Sequence, residues 1–142
     1  MRMLRQASTT FTVETRGRGL VEFTRPVAAW VAQQGVGAGL LTLFVRHTSA
    51  SLLIQENADP DVRADLDRFF ARLVPDGDPL FRHVDEGADD MPSHVRAALT
   101  NVQLSIPVAN GRLVLGTWQG LYLWEHRHRP HRREVAAHLL GE

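Results

Sequence analysis

The sequence holds seven histidines, sixteen Asp plus Glu and no cysteine, so its reactive chemistry rests on imidazole, carboxylate and hydroxyl groups. Disulfides, thiolate metal ligands and cysteine nucleophiles are excluded together. His47 comes first, in "VRHTSASLL" at residues 45–53. It ends an apolar strand pattern and shares a strand face with Leu41, Leu43 and Val45, which should be buried. A histidine there has two readings. It is a core side chain satisfied by a neighbouring hydroxyl or carbonyl, or it is a ligand or general base at the rim of the core, with Thr48, Ser49 and Ser51 supplying directed hydrogen bonds. Sequence alone does not pair Ser49 or Ser51 with His47 as nucleophile and base, because near neighbours on a strand alternate faces.

The second group is "RHVDEGADDMPSH", residues 82–94, which carries His83, Asp85, Glu86, Asp89 and Asp90 in a loop and His94 near the start of a following helix. An acidic loop is ordinarily solvated. Partial positive charge at a helix start favours neutral imidazole, however, and that form binds metals or accepts protons. The interval from His83 to His94 matches no short zinc signature, so a shared metal site and two unrelated histidines both stay open. The third group is "GTWQGLYLWEH", residues 116–126, where Trp118, Tyr122, Trp124 and His126 share one strand face and Leu121, Leu123 and Glu125 the other. Gly116 and Gly120 bracket Trp118 and Gln119, and glycine at a strand marks a bulge or a close approach of backbone, for which a ligand is one cause. Glu125, alone on a leucine face, is either at the strand end in water or buried with a partner.

The elements around these residues follow from period and punctuation. Residues 8–15 alternate as an opening strand, "RGRG" turns the chain, and Val27, Trp30 and Val31 lie at helical spacing between Pro26 and Gly35. "AGLLTLFVRH" and "LLIQE" read as strands. Val62, Leu66, Phe69, Phe70 and Leu73 form one face of a helix that Asp59 can cap and Pro60 can open. "MPSHVRAAL" reads as a short helix, and Asn110-Gly111 between alternating runs reads as a hairpin turn. "GLYLWEH" and "REVAAHLL" complete the strands. The expected class is α+β, one domain over residues 1–142 with a mixed or mainly antiparallel sheet or sandwich and two to three helices covering one side.

Sixteen Lys plus Arg balance the acidic residues, so nothing points to nucleic acid, although "EHRHRPHRRE" at residues 125–134 could meet one anionic ligand or simply be a solvated strand end. No apolar run suits a membrane span and no long apolar segment follows the first arginines, so the expected location is cytoplasmic. Phosphate-loop, nucleophile-elbow, HExxH and GxGxxG patterns are absent.

With these motifs assembled, the sequence resembles the YjbQ family. "HTSASL" at 47–52, "ENADPDVRADL" at 56–66, "EGADDMPSH" at 86–94, "NGRLVLGTWQGLYLWEHR" at 110–127 and the closing "LLGE" carry the likeness. The resemblance implies a homotrimer with a polar pocket near the subunit boundary and a weak thiamine-phosphate synthase activity, which joins a hydroxymethylpyrimidine diphosphate to a thiazole phosphate with loss of diphosphate. It also implies that His47, His83, His94 and His126 belong to the pocket. On that reading the histidines hold a divalent ion, zinc, manganese or magnesium, or supply a proton donor, with His47, His83, His94 and Asp89 as the catalytic candidates. Asp89 or Glu86 would orient a histidine or bind the ion, Arg127 would meet the leaving diphosphate, and Thr48, Ser49, Ser51, Trp118 and Gln119 would contact a small phosphorylated metabolite. A non-catalytic trimeric module that binds a metal or phosphometabolite is the alternative. Pro130 and His131 stand where relatives show a glycine pair, and Phe81 where a hydroxylated aromatic is common.

Overall fold

The computed structural model describes residues 2–142. The elements run β1 (Arg5–Glu14), β2 (Gly19–Glu22), α1 (Thr24–Gln33), β3 (Gly39–Val45), β4 (Ala50–Glu56), α2 (Pro60–Leu73), α3 (Asp90–Leu99), β5 (Gln103–Ala109), β6 (Arg112–Leu113), β7 (Gln119–Glu125) and β8 (Arg132–Gly141). Their order builds a five-stranded sheet, β1-β8-β3-β5-β6, and a three-stranded sheet, β2-β7-β4. All the pairings are antiparallel.

Alternation along the strands decides how the layers stack. Leu41, Leu43 and Val45 of β3 and Val135, Ala137 and Leu139 of β8 meet Leu52 of β4 and Leu121 and Leu123 of β7 in one core between the sheets. Val27 and Val31 of α1 close it, and Trp30 packs edge-on to Phe11. The opposite face of β7 presents Tyr122 and Trp124 to α2 and α3. Phe70 sits 4.8 Å from the Trp124 ring, and Arg96 lies over both rings.

Several local expectations meet their physical cause here. Asp59 accepts from Asp61 N–H at the start of α2 and Pro60 opens the helix. Asn110 at φ 52° and Gly111 at φ 74° form the left-handed pair that joins β5 to β6. Others are corrected. Val21 and Glu22 add a short strand, β2, ahead of the first helix, because they pair with Leu123 and Tyr122. The inner stripe of α2 is Arg63, Asp67 and Phe70, which reach Tyr122 and Trp124, whereas Phe69 and Leu73 are 49% and 54% exposed. Polar partners on the sheet, and not apolar content alone, set the rotation of that helix.

Candidate metal centre

The N-terminal end of α3 lies against the end of β7. Asp90 opens the helix and His94 follows one turn later, so the two share a helix face. Asp90 is only 2% exposed. His83 Nε2–H donates to Asp90 Oδ2 at 2.7 Å, and His94 Nε2 lies 3.3 Å from the same oxygen. The ligand atoms of His83, Asp90 and His94 all lie within 4.8 Å of one another. His94 Nδ1–H donates to the Thr48 carbonyl at 3.0 Å, which leaves Nε2 as the free lone pair when the ring is neutral. That lone pair then faces a carboxylate. A proton or a cation between them removes the repulsion, and two imidazoles with one carboxylate form a donor set suited to a divalent transition metal with a position left open.

Arg127 braces the carboxylates. Its NH1 donates to Asp90 Oδ1 at 2.5 Å, its Nε to Asp89 Oδ2 at 3.1 Å and its NH2 to the Glu86 carbonyl at 2.9 Å. Burial opposes ionisation of Asp90, but the His83 hydrogen bond, Arg127 and His94 outweigh it, so its pKa lies below the ordinary value. Asp89 behaves likewise: burial opposes its charge, while His128 N–H and Arg127 stabilise it more. Ser93 Oγ lies 2.6 Å from the Asp89 carbonyl and 2.7 Å from the His126 carbonyl, which pins the first turns of α3 to the strand end.

Beneath this layer, His126 has both ring nitrogens engaged. Arg96 Nε–H donates to Nδ1 at 3.1 Å, so Nε2 carries the proton and donates to Ser51 Oγ at 2.8 Å. Burial, then Arg96, Arg18 and Arg133, push its pKa down to about 3. The neutral histidine bridges α3 and β4 with both nitrogens engaged and lies outside the group formed by His83, Asp90 and His94. Glu125 finds its partner in Arg133, whose Nε donates at 2.8 Å, while Thr15 Oγ1 donates at 2.7 Å. Burial raises the pKa of Glu125, and the Arg133 and Thr15 bonds lower it further than burial raises it.

The remaining candidates separate by what they touch. His47 Nε2 accepts from Glu134 N–H at 2.8 Å, so the side chain extends the ladder of β8 past the end of β3. Partial burial, followed by Arg133, lowers its pKa. Ser49 Oγ accepts from Arg133, and Ser51 is consumed by His126. Thr48 enters only through its carbonyl. Trp118 and Gln119 stand at the other end of β7, roughly 20 Å along the strand from Glu125. Trp118 is 62% exposed, and Gln119 Oε1 accepts from Gly116 N–H. Pro130 and His131 adopt no positive φ, and His131 N–H donates to Thr15 Oγ1, which holds the loop against β1. Of the predicted ligands, the fold therefore joins His83 and His94. Asp90, which the sequence presents as one more charge in an acidic loop, is the residue that joins them; its signal is the four-residue spacing to His94, visible once the helix is known to start at Asp90.

A family profile described as "UPF0047 protein YjbQ-like" matches residues 9–142. A UPF0047 protein of Synechocystis is 56% identical over 138 residues, covering 97% of this chain and 94% of its own. The UPF0047 protein YjbQ of Escherichia coli O157:H7 is 45% identical over 134 residues, covering 94% and 96%. Among solved structures, a conserved hypothetical protein of Thermus thermophilus superposes with a TM-score of 0.81 at 39% identity, over 91% of this chain and 97% of that one. A protein of unknown function from Sulfolobus solfataricus has a TM-score of 0.88 at 24% identity, over 99% and 100%, a likeness of fold.

Proposed function

Because the chain belongs to the YjbQ-like UPF0047 family, we propose that it binds one divalent transition-metal ion with His83, Asp90 and His94 and acts there on a small phosphorylated metabolite. The observation that carries this reading is the mutual approach of the three ligand atoms to within 4.8 Å, with Thr48 and Arg127 orienting His94 and Asp90 from behind. A bound ion would supply a Lewis acid that neutralises charge on a phosphate or a departing diphosphate. Arg127 fixes the Asp90 carboxylate, and a polar cleft of about 700 Å³ lined by Asp85, Glu86, Asp89, Arg127, Arg129 and His131 adjoins it. The cleft's mixed charge suits an anion that arrives with a cation.

Loss of diphosphate in joining a hydroxymethylpyrimidine diphosphate to a thiazole phosphate is the reaction to test first. Chelator-stripped protein reloaded with zinc, manganese or magnesium should release diphosphate from that substrate pair, and Asp90→Asn should abolish release. Metal binding without turnover would instead favour a non-catalytic binding module. One arrangement supports that second reading: Arg127 and His128 N–H already hold Asp89, so it is poorly placed to take a proton. A homotrimer fits the uncovered outer face of the five-stranded sheet, where Leu40, Phe44 and Leu140 are exposed. Light scattering should return about three times the 15.9 kDa chain mass, and a monomer would remove that part of the proposal.

A further inference from the structure

The groups around the polar cleft that can accept a proton are Asp85, Glu86, Asp89, His128 and His131. Asp89 is held by Arg127 and by His128 N–H. Asp85 and Glu86 are exposed, and a solvated carboxylate is a weak base near neutral pH. His128 gives its ring Nε2–H to Asp76 Oδ2 at 2.8 Å, which draws the ring towards Arg18 at the end of α2 and leaves the side chain 59% exposed. His131 is held differently. Thr15 clamps its backbone from both sides, donating N–H to the His131 carbonyl at 2.8 Å and accepting His131 N–H on Oγ1 at 2.9 Å. The ring Nδ1–H donates to the Arg129 carbonyl at 2.8 Å, and Oε1 of the buried Glu125 lies 3.4 Å from the same nitrogen. The neutral ring therefore carries its proton on Nδ1, and its Nε2 lone pair has no hydrogen-bond partner among the described residues.

That arrangement is the one a general base needs. When Nε2 takes a proton, the imidazolium keeps its Nδ1–H on a carbonyl with a buried carboxylate behind it, so the new charge is stabilised as it forms. The cleft that His131 lines is also lined by Asp89 and by Arg127, which braces Asp90, so imidazole and metal centre serve one space. We propose that His131 is the general base of this cleft and that the cleft hydrolyses a phosphate ester. Nε2 takes a proton from water as the water oxygen bonds to phosphorus, the ester P–O bond breaks, and the departing oxygen keeps the electron pair. The proton then passes from His131 to solvent. This role rests on the metal-centre reading, in which the ion draws negative charge from the phosphoryl oxygens. It adds a reaction to that reading, transfer to water, which needs no second substrate.

The test follows release of nitrophenolate from 4-nitrophenyl phosphate by the zinc-loaded full-length protein, since that leaving group departs without a proton. The native protein should turn the ester over. His131→Ala and His131→Gln should each lower kcat about 100-fold or more and leave KM within about twofold, with zinc content and circular dichroism reporting that centre and fold persist. Added imidazole should restore part of the rate to His131→Ala, where it finds room, and none to His131→Gln. No hydrolysis by native protein that holds zinc would overturn the proposal and leave the metal centre standing. Native rates in both His131 variants would overturn it, as would a loss confined to His128→Ala, which would assign the base to the other imidazole. A loss in His131→Ala that imidazole does not restore would overturn the catalytic role and make the residue structural. Failure of the native protein to hold zinc would overturn the centre and the base with it.

Discussion

Deep burial and the charges of Arg96, Arg18 and Arg133 hold His126 at a pKa of about 3, against 6.5 for the free side chain. The unfolded chain therefore takes up a proton between those values and the native chain does not, so stability falls as pH drops below 6.5 and keeps falling until about pH 3. At pH 5 this one residue should cost about 2 kcal/mol relative to neutral pH, measurable by urea unfolding, and His126→Gln should flatten that slope. Glu125 contributes in the same direction at lower pH, because its depressed pKa gives stability that is lost as pH falls through the folded value. Removing its charge with Glu125→Gln leaves Arg133 buried without a counter-ion and should cost about 3–5 kcal/mol at pH 7. A loss below ~1 kcal/mol would mean water reaches the pair. Sequence legibility is uneven at this scale. The alternation that put Glu125 on a leucine face is correct, and the buried-partner reading of it is too, but no local pattern reveals that Arg96 and Ser51 occupy both nitrogens of His126, since those contacts join three distant segments. His47 is hidden for the same reason: its partner is a backbone N–H on β8.

Elements whose ends carry local signals are the ones the sequence discloses. Asp59 and Pro60 announce α2, and Asp59→Ala should cost about 1 kcal/mol in unfolding free energy, because only the Asp61 N–H bond is lost. No measurable change would mean that water replaces the cap at no cost. The face of α2 is less legible. Its apolar positions suggest a stripe through Phe69 and Leu73, yet Asp67 accepts from Trp124 Nε1 at 2.8 Å and Arg63 donates to Tyr122 Oη at 3.1 Å, and these bonds turn the helix away from that stripe. The start of α3 is displaced in the opposite sense: placing it at Met91 hides Asp90, whereas the helix includes Asp90 and thereby aligns it with His94. One residue at a helix boundary separates an acidic loop from a candidate ligand set.

For the whole molecule, α+β class is legible from alternation in β3, β5 and β8, which bury one face, whereas β7 is buried on both, against the other sheet and against α2 and α3. Leu123, fully buried between the sheets, should cost about 2–5 kcal/mol when changed to Ala, with loss of cooperative thermal unfolding as the sign that both sheets depend on it. Which strands make up each sheet is not legible, since strand order depends on long-range pairing such as β1 with β8. The central claim is that this architecture brings His83, Asp90 and His94 to one ion. Metal content of the purified protein by mass spectrometry, alongside folded Asp90→Asn, His94→Ala, His47→Ala and His126→Gln variants, tests it most directly. The account predicts about one ion per chain in the native protein, loss in Asp90→Asn and His94→Ala, and retention in His47→Ala and His126→Gln. No retained ion after reconstitution with zinc, manganese and magnesium, or equal loss in all four variants, would contradict it.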